Sequence, residues 1–272
     1  MKHRPSDIFT APQSELNSLR TLPRPVYGHI RGLPNRPIGH RHTHSWVQLS
    51  YALHGVIEVV TSTGRFVAPP LRAIWIPARV PHAVRCAPHT EIRSLYIESA
   101  AVPRHASECR VLAVTPLTRE LIRTFSEFPA EYDEQGTEGR LVQVLLDQLA
   151  CAPELGLSLP WPQDARLRHI CTEMNAKPDG GASLADYGAR LHLSERTLSR
   201  LFRQQTGLSF RLWRQRARIL SALPLLERGD RVTDVALACG YESMSAFIAA
   251  FREQMGMTPG ELLAACAMVS QA

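Results

Sequence analysis

The sequence lacks several features that mark secreted, membrane and zinc-ribbon proteins. Its six cysteines are scattered without a Cys-x-x-Cys pair, which argues against a disulfide framework and against a zinc ribbon. No run approaches the roughly 18 consecutive apolar residues of a membrane-spanning helix. The polar first seven residues have no apolar segment behind them that would complete a secretory signal. We therefore expect a cytoplasmic protein that has reduced cysteines and no membrane partner.

Lysine is nearly absent, and the arginines that replace it are unevenly placed. Of the 31 basic residues only Lys2 and Lys177 are lysine. The net charge is +6, but eight arginines lie between Arg190 and Arg218 against the single acid Glu195. Such a stretch is suited to contact with the phosphates of nucleic acid, although a solvated basic helix face gives the same composition. At 44% hydrophobic residues over 272 positions, the chain can build two packed domains.

The N-terminal half has the pattern of a small all-β unit followed by helices. Between about residues 31 and 98, short alternating or β-branched runs at 46–51, 56–60 and 65–67 are separated by Gly and Pro. This pattern predicts an antiparallel β-barrel or sandwich. After Pro116, apolar residues recur at spacings of three and four, which predicts two amphipathic helices that either cap the barrel or form a dimer face. Those residues are Leu117, Leu121, Ile122, Phe125, Leu141, Val144, Leu145 and Leu149, with the polar Gln148 at the same spacing.

A proline-rich segment divides the chain. Residues 152–162 contain three prolines and no helical or strand period, so they are interpreted as part of an interdomain linker. The predicted organisation is a sensing and dimerisation domain at 1–150, a linker at 151–163 and an all-helical domain at 164–272. The predicted fold class is therefore α+β, with an N-terminal antiparallel barrel and a C-terminal helical domain.

The helical half contains two similar motifs. Ser183 and Asp186 form a capping box that begins one helix, and Ser194 caps the next, which carries arginines on its outward face and ends at Gly207. Two short helices joined by a tight turn indicate a helix-turn-helix. The pattern recurs at 232–240 and 243–256, after a long helix over 210–226. Pro224 inside that helix is expected to kink it or end it early.

The residues of these motifs resemble the DNA-binding domain of AraC/XylS-family bacterial transcription regulators. The resemblance rests on 193–202, 206–210, 235–241, 245–247, 251–252 and 256–259, and it covers roughly 164–263. It implies base contacts from Arg196, Ser199 and Arg200, with Arg203 on the same face, and Arg200 is the best candidate for a bidentate contact to guanine. The second recognition helix presents Met244, Ser245, Ile248 and Ala249, which suit thymine methyl groups or the DNA backbone.

Histidines are concentrated in the N-terminal half. His42 and His44 are expected on one side of a strand, Gln48 follows four residues later, and His82 lies downstream. This set resembles the cupin pattern of metal-binding histidines, with glutamine in the place of the carboxylate. Three interpretations are open: a site for a divalent transition metal, the lining of an effector pocket without metal, and purely structural histidines. The expected pocket also has apolar walls, formed by Trp46, Tyr51 and Trp75.

The leading hypothesis is a DNA-binding transcriptional regulator, not an enzyme, that is controlled by a small-molecule effector in the cupin-like barrel. Its expected partners are promoter DNA, the effector, a second copy of the chain and RNA polymerase. This hypothesis requires no cofactor. A variant of the hypothesis adds a divalent transition metal bound in the barrel. The alternatives are a metal-dependent cupin enzyme and a metal-responsive repressor.

Overall fold

The computed structural model describes residues 21–28, 39–86, 90–102 and 108–270, except for the side chains of 268–270. Residues 31–38, where the predicted β region begins, lie outside this part. Two antiparallel sheets form the N-terminal half, with the strand orders β1-β7-β2-β5-β8-β9 and β10-β4-β3-β6. The strands are β1 (Val26–Tyr27), β2 (Val47–His54), β3 (Ile57–Thr61), β4 (Gly64–Ala68), β5 (Arg72–Ile76), β6 (His82–Cys86), β7 (Glu91–Ile97), β8 (Arg110–Ala113), β9 (Glu154–Leu155) and β10 (Ser158–Pro160).

Two helices cover the outer face of the six-stranded sheet. Helix α1 (Pro116–Ser126) and helix α2 (Thr137–Cys151) bury Phe125 and Leu145 against that face. The position of both helices matches the capping alternative from the sequence. The predicted apolar stripe is wrong at two residues, because the side chains of Leu117 and Val144 are 53% and 44% exposed. Dimerisation through these helices stays a prediction.

The segment interpreted as a linker completes both sheets. Strand β9 pairs with β8, and strand β10 pairs with β4, so residues 154–160 belong to the barrel. Leu159 on β10 is fully buried. The expectation of a segment without strands is therefore wrong. Its strands are only two and three residues long, too short to show a period of two.

The C-terminal half is helical, as predicted. Asp164, Ser183, Ser194 and Ser243 each cap a helix, and Gly207 and Gly256 end helices in the left-handed conformation. The helices are α3 (Ala165–Ala176), α4 (Leu184–Leu191), α5 (Glu195–Thr206), α6 (Phe210–Glu227), α7 (Val232–Ala238), α8 (Met244–Met255) and α9 (Pro259–Ser270). Helix α6 continues past Pro224 and ends within one turn of it, at Glu227. In the part of the chain that is described, no helix has the length and apolar character to cross a membrane.

The helical half packs directly on the barrel. A single apolar core extends from the four-stranded sheet into the helices, and Trp213 of α6 lies in it with no exposed surface. The Trp213 indole donates a hydrogen bond to the carbonyl of Pro160 at 2.9 Å, and Arg216 donates to the carbonyl of Ser158 at 3.2 Å. Both acceptors lie on β10, so this strand joins the two halves.

Candidate functional site

The first recognition helix, α5, has one buried face and one basic face. Leu198 and Phe202 are fully buried, which fixes the rotation of the helix on the domain. On the other side Arg196, Arg200 and Arg203 are exposed. Ser199 lies half-buried between them. The side chains predicted for the first motif therefore share one accessible surface, the α5 face, which consists of Arg196, Ser199, Arg200 and Arg203.

Four of the eight arginines between residues 190 and 218 bind other groups of the protein. Arg190 forms an ion pair with Glu173 at 2.9 Å. The guanidinium groups of three further arginines donate to backbone carbonyls, Arg214 to Ala182, Arg216 to Ser158 and Arg218 to Pro178. The idea of one basic stripe of eight arginines is therefore wrong, because four of them hold helices in place. The exposed remainder is Arg196, Arg200, Arg203 and Arg211.

The second recognition helix, α8, presents a less charged surface. Phe247 and Phe251 are buried, whereas Met244 and Ser245 are exposed and Ile248 is half-buried. These predicted residues lie on one side, as the sequence indicated. A groove along that side is lined by Ser245, Ile248, Ala249, Arg252, Glu253 and Thr258.

Arg252 was missed in the sequence, although it lies in this groove. The four residues predicted for the outward face of the second recognition helix include no basic side chain. Arg252 follows Ser245 by seven residues, which is two helical turns, so helical spacing alone could have identified it. It gives α8 one exposed guanidinium.

A histidine cluster lies at one end of the barrel, although not on a strand as predicted. His42 and His44 precede β2, which begins at Val47. Residue 42 is joined to β6 by an isolated bridge, in which the backbone amides and carbonyls of His42 and His82 exchange two hydrogen bonds of 2.9 Å. The expectation that both histidines lie on a strand is wrong. The bridge nevertheless brings both rings to His82.

The three rings are oriented by backbone carbonyls. Each Nδ1–H donates to a carbonyl oxygen: His42 to His40 at 3.1 Å, His44 to Trp46 at 2.8 Å and His82 to Val80 at 2.8 Å. One nitrogen from each ring lies within 4.8 Å of the others. Burial lowers the pKa of all three imidazoles, that of His82 to about 3, so the rings are neutral at pH 7.

Gln48 extends inward from β2 to the same cluster. Its Oε1 lies 2.9 Å from Nε2 of His44 and 3.2 Å from Nε2 of His82. Its Nε2 donates to the hydroxyls of Ser50 at 3.0 Å and Ser94 at 3.5 Å. The structure thus brings together all four residues predicted as metal ligands. We call His42, His44, His82 and Gln48 the histidine end.

Only one of the three predicted aromatic walls adjoins the histidine end. Trp46 stacks on His44, with an interplanar angle of 7°. Tyr51 and Trp75 are buried in the core beneath α1 and α2. Side chains alternate along a strand, so Tyr51, three residues from Gln48, points to the opposite face of the sheet. Trp75 pairs with Leu49 on that face, and the placement of Tyr51 and Trp75 in the pocket is wrong.

The chemistry of the histidine end fits a metal ion as well as an organic ligand. Three neutral imidazoles and an amide oxygen are donors that zinc, nickel and copper accept. Nε2 of His42 is buried and has no hydrogen-bond partner among the described residues. No carboxylate or thiol in the described part of the chain joins the three histidines. A bound ion would therefore keep its full positive charge.

Comparison with known proteins matches both halves of the chain. Residues 25–150 match the AraC-like ligand binding domain, and residues 187–265 match a helix-turn-helix domain. The HTH-type transcriptional regulator NimR of Escherichia coli (strain K12) is 37% identical over 229 residues, which cover 84% of each chain.

Two further similarities cover a smaller part of the chain. The HTH-type transcriptional activator RhaR of Yersinia pseudotuberculosis is 40% identical over 99 residues, which are 36% of this chain and 34% of that protein. The solved structure of a DNA-binding transcriptional dual regulator from Escherichia coli K-12 is 30% identical. The superposed region covers 40% of this chain and 96% of the chain in that structure, with a TM-score of 0.35.

Proposed function

The chain belongs to the AraC/XylS family of transcriptional regulators, and on this premise we propose which of its residues read DNA and where its effector binds. It is a regulator that binds double-stranded DNA and carries an AraC-like ligand-binding domain. The observation that supports the proposal best is the α5 face, where Arg196, Arg200 and Arg203 are exposed around Ser199.

We assign direct base readout to the α5 face. Arg200 lies at its centre, one turn from Arg196 and close to Arg203 on the helix surface. A guanidinium donates two parallel hydrogen bonds to guanine O6 and N7, which no other base pair accepts in the major groove. Arg196 and Arg203, towards the two ends of the face, would contact phosphates or neighbouring bases.

Helix α8 is assigned a different kind of readout. Met244 and Ile248 are apolar, and Ser245 is the single hydroxyl among the predicted contacts of this helix. An apolar side chain in the major groove distinguishes thymine by its C5-methyl group. Arg252 would fix the helix to a phosphate and carry no sequence information. We therefore propose a guanine-reading half and a thymine-reading half within one binding site.

Chemical interference on the DNA tests this division. End-labelled DNA from upstream of the gene is methylated sparsely at guanine N7 in one sample and carries scattered uracil for thymine in another. Bound and free fractions are then separated. We expect guanine methylation to weaken binding in the segment that faces α5, and loss of the thymine methyl to weaken it in the segment that faces α8, about one helical turn away.

Two results would contradict the assignment. Guanine interference of equal strength in both segments would show that α8 does not read thymine methyl groups. Guanine interference that persists at the same positions in Arg200→Ala would show that another side chain makes the guanine contact.

We propose that the effector binds at the histidine end. The polar groups there converge inside the barrel, and Trp46 supplies an aromatic wall beside His44. Gln48, Ser50 and Ser94 form a connected line of hydrogen bonds that would orient a polar group of the ligand. Ligand pockets usually combine a few such polar groups with apolar walls.

A compound screen by thermal unfolding tests the effector site. A ligand present at 100 times its Kd stabilises the folded state by about 2.7 kcal/mol, which raises Tm. We expect compounds that raise the Tm of the wild-type chain and alter its DNA affinity to have no effect on the His42→Ala/His44→Ala variant. That variant should still bind operator DNA with wild-type affinity. Compounds that stabilise both proteins equally would place the effector site elsewhere.

Three finer points complete the proposal. The chain acts as a regulator and has no catalytic role, because the relatives that it matches are named as regulators. It acts in the cytoplasm, where bacterial DNA lies. It works as a homodimer that contacts RNA polymerase, and the exposed Leu117 and Val144 on α1 and α2 are the apolar side chains available to such a contact.

A further inference from the structure

We propose that the histidine end binds a divalent transition-metal ion through His42, His44 and His82, with Gln48 as a reversible fourth ligand. This inference deepens the proposed function and rests on it for its consequence, because the ion would lie where the effector is placed. The binding of the ion itself depends only on the geometry of these four side chains.

The first argument concerns the protons on the three rings. Carbonyl oxygens only accept hydrogen bonds, so each Nδ1 next to a carbonyl must carry the proton. A neutral imidazole has one N–H, and its other nitrogen then has a lone pair. All three Nε2 atoms are therefore lone-pair donors. An outer-shell carbonyl on the second ring nitrogen is the arrangement that orients metal-binding histidines.

The second argument concerns Gln48. Its Oε1 lies 2.9 Å from one of these lone-pair nitrogens and 3.2 Å from another. In this orientation of the amide neither side can donate a hydrogen, so the contacts are favourable only when a cation is shared between the oxygen and the nitrogens or when the amide is turned. The third nitrogen, Nε2 of His42, is buried and has no partner among the described residues. One cation would satisfy all four atoms.

The third argument explains why a glutamine is useful there. A half-turn of the amide about its last bond would place the NH2 group beside His44 and His82, to which it would donate. The oxygen would then accept from the hydroxyls of Ser50 and Ser94. Gln48 thus has one orientation that suits the ion and one that suits the ion-free protein. A carboxylate has no such second orientation, so glutamine stabilises the ion-free site in a way that a carboxylate would not.

Binding would also limit the distances between the three rings. Nitrogens on one zinc ion have bonds of about 2.0–2.1 Å and so lie at most about 4.2 Å apart. The three ligand nitrogens are within 4.8 Å of one another. An ion would therefore bring any pair of these nitrogens at the upper end of that range closer together, which would link occupancy to the position of the segment with His42 and His44 relative to β6.

Titration with Co²⁺ tests the site directly. The full-length chain is stripped with a chelator, freed of chelator and titrated in a Cys151→Ser background, which removes an exposed thiol. We expect one Co²⁺ per chain, with visible absorption bands of nitrogen and oxygen coordination, and displacement by Zn²⁺. Elemental analysis after dialysis gives the stoichiometry independently.

Four variants identify the ligands. Changes in the outer shell of a metal site already lower affinity about 10- to 100-fold, so His82→Ala and His42→Ala should each weaken Co²⁺ binding by at least about 100-fold. Gln48→Glu adds an anionic ligand and should tighten binding. His169→Ala, which removes an exposed histidine far from the cluster in sequence, is the control and should leave affinity unchanged.

The two histidine variants distinguish loss of the metal site from loss of folding. His42 is only half-buried, so its variant remains informative even where loss of the fully buried His82 prevents folding. Absence of saturable binding, or affinity unchanged in both histidine variants, overturns the metal site. Since no DNA is present, failure here together with specific operator binding would leave the proposed regulator function standing.

Discussion

Replacing Arg200 with alanine is expected to lower operator affinity by about 5- to 150-fold, which corresponds to about 1–3 kcal/mol for one bidentate contact to guanine. Arg200 is exposed on α5, and Ser194 and Gly207 fix the ends of that helix. The side chain has no acceptor among the described residues, so its removal costs the fold little. Affinity for scrambled DNA should fall far less, because phosphate contacts alone supply nonspecific binding.

The matched control is Arg190→Ala. Arg190 is also an arginine with about half of its side chain exposed, but it pairs with Glu173 on α3 and lies outside the α5 face. Its loss should leave operator affinity nearly unchanged. Fluorescence anisotropy with operator and scrambled DNA measures both variants. An equal loss on both DNAs for Arg200→Ala would show that this side chain contacts phosphate and not a base.

Replacing Trp213 with alanine is expected to destabilise the protein by about 3–5 kcal/mol, the largest effect on stability that we predict. The side chain is completely buried in the core shared by α6 and the barrel, where it contacts Phe202 and Trp161 edge-on or tilted. Truncation would leave a cavity at the junction of the two halves. It would also leave the Pro160 carbonyl on β10 without its donor.

Trp213→Phe separates the two contributions. Phenylalanine keeps most of the apolar volume and loses the hydrogen bond to Pro160, so we expect a cost of about 1–3 kcal/mol. Trp161→Ala removes a half-buried indole nearby and should cost less than Trp213→Ala. Urea unfolding followed by circular dichroism gives the free energies. A cost below about 1 kcal/mol for Trp213→Ala would show that the helical half does not pack on the barrel as described.

The helical domain was predictable because its signals are local. A serine or aspartate cap bonds to a backbone amide within three residues, and a glycine ends a helix at its own position. Both motifs could therefore be identified from residues that are close together in the sequence. Arg252 was missed although its spacing of seven residues from Ser245 places it on the same face of the helix. The structural role of Arg214 and Arg218 depends on carbonyls that lie about 30 to 40 positions away in the sequence.

The barrel was predictable in type but not in detail. Alternation identifies β structure, yet pairing partners are set by tertiary contacts, so the short strands β9 and β10 carry no local signal that separates them from a linker. The same alternation could have separated Tyr51 from Gln48, since an odd spacing along a strand places side chains on opposite faces. His82 was correctly grouped with His42 and His44 because the cupin resemblance supplied a contact across 40 residues.

The measurement that tests the central claim most directly is an anisotropy titration of the wild-type chain. Labelled DNA from upstream of its gene and a scrambled duplex of equal length are compared at two salt concentrations. Specific binding should exceed nonspecific binding by about 10³-fold or more, and that ratio should fall in Arg200→Ala. Equal, weak binding of both duplexes with a steep dependence on salt would contradict sequence-specific readout by the α5 face.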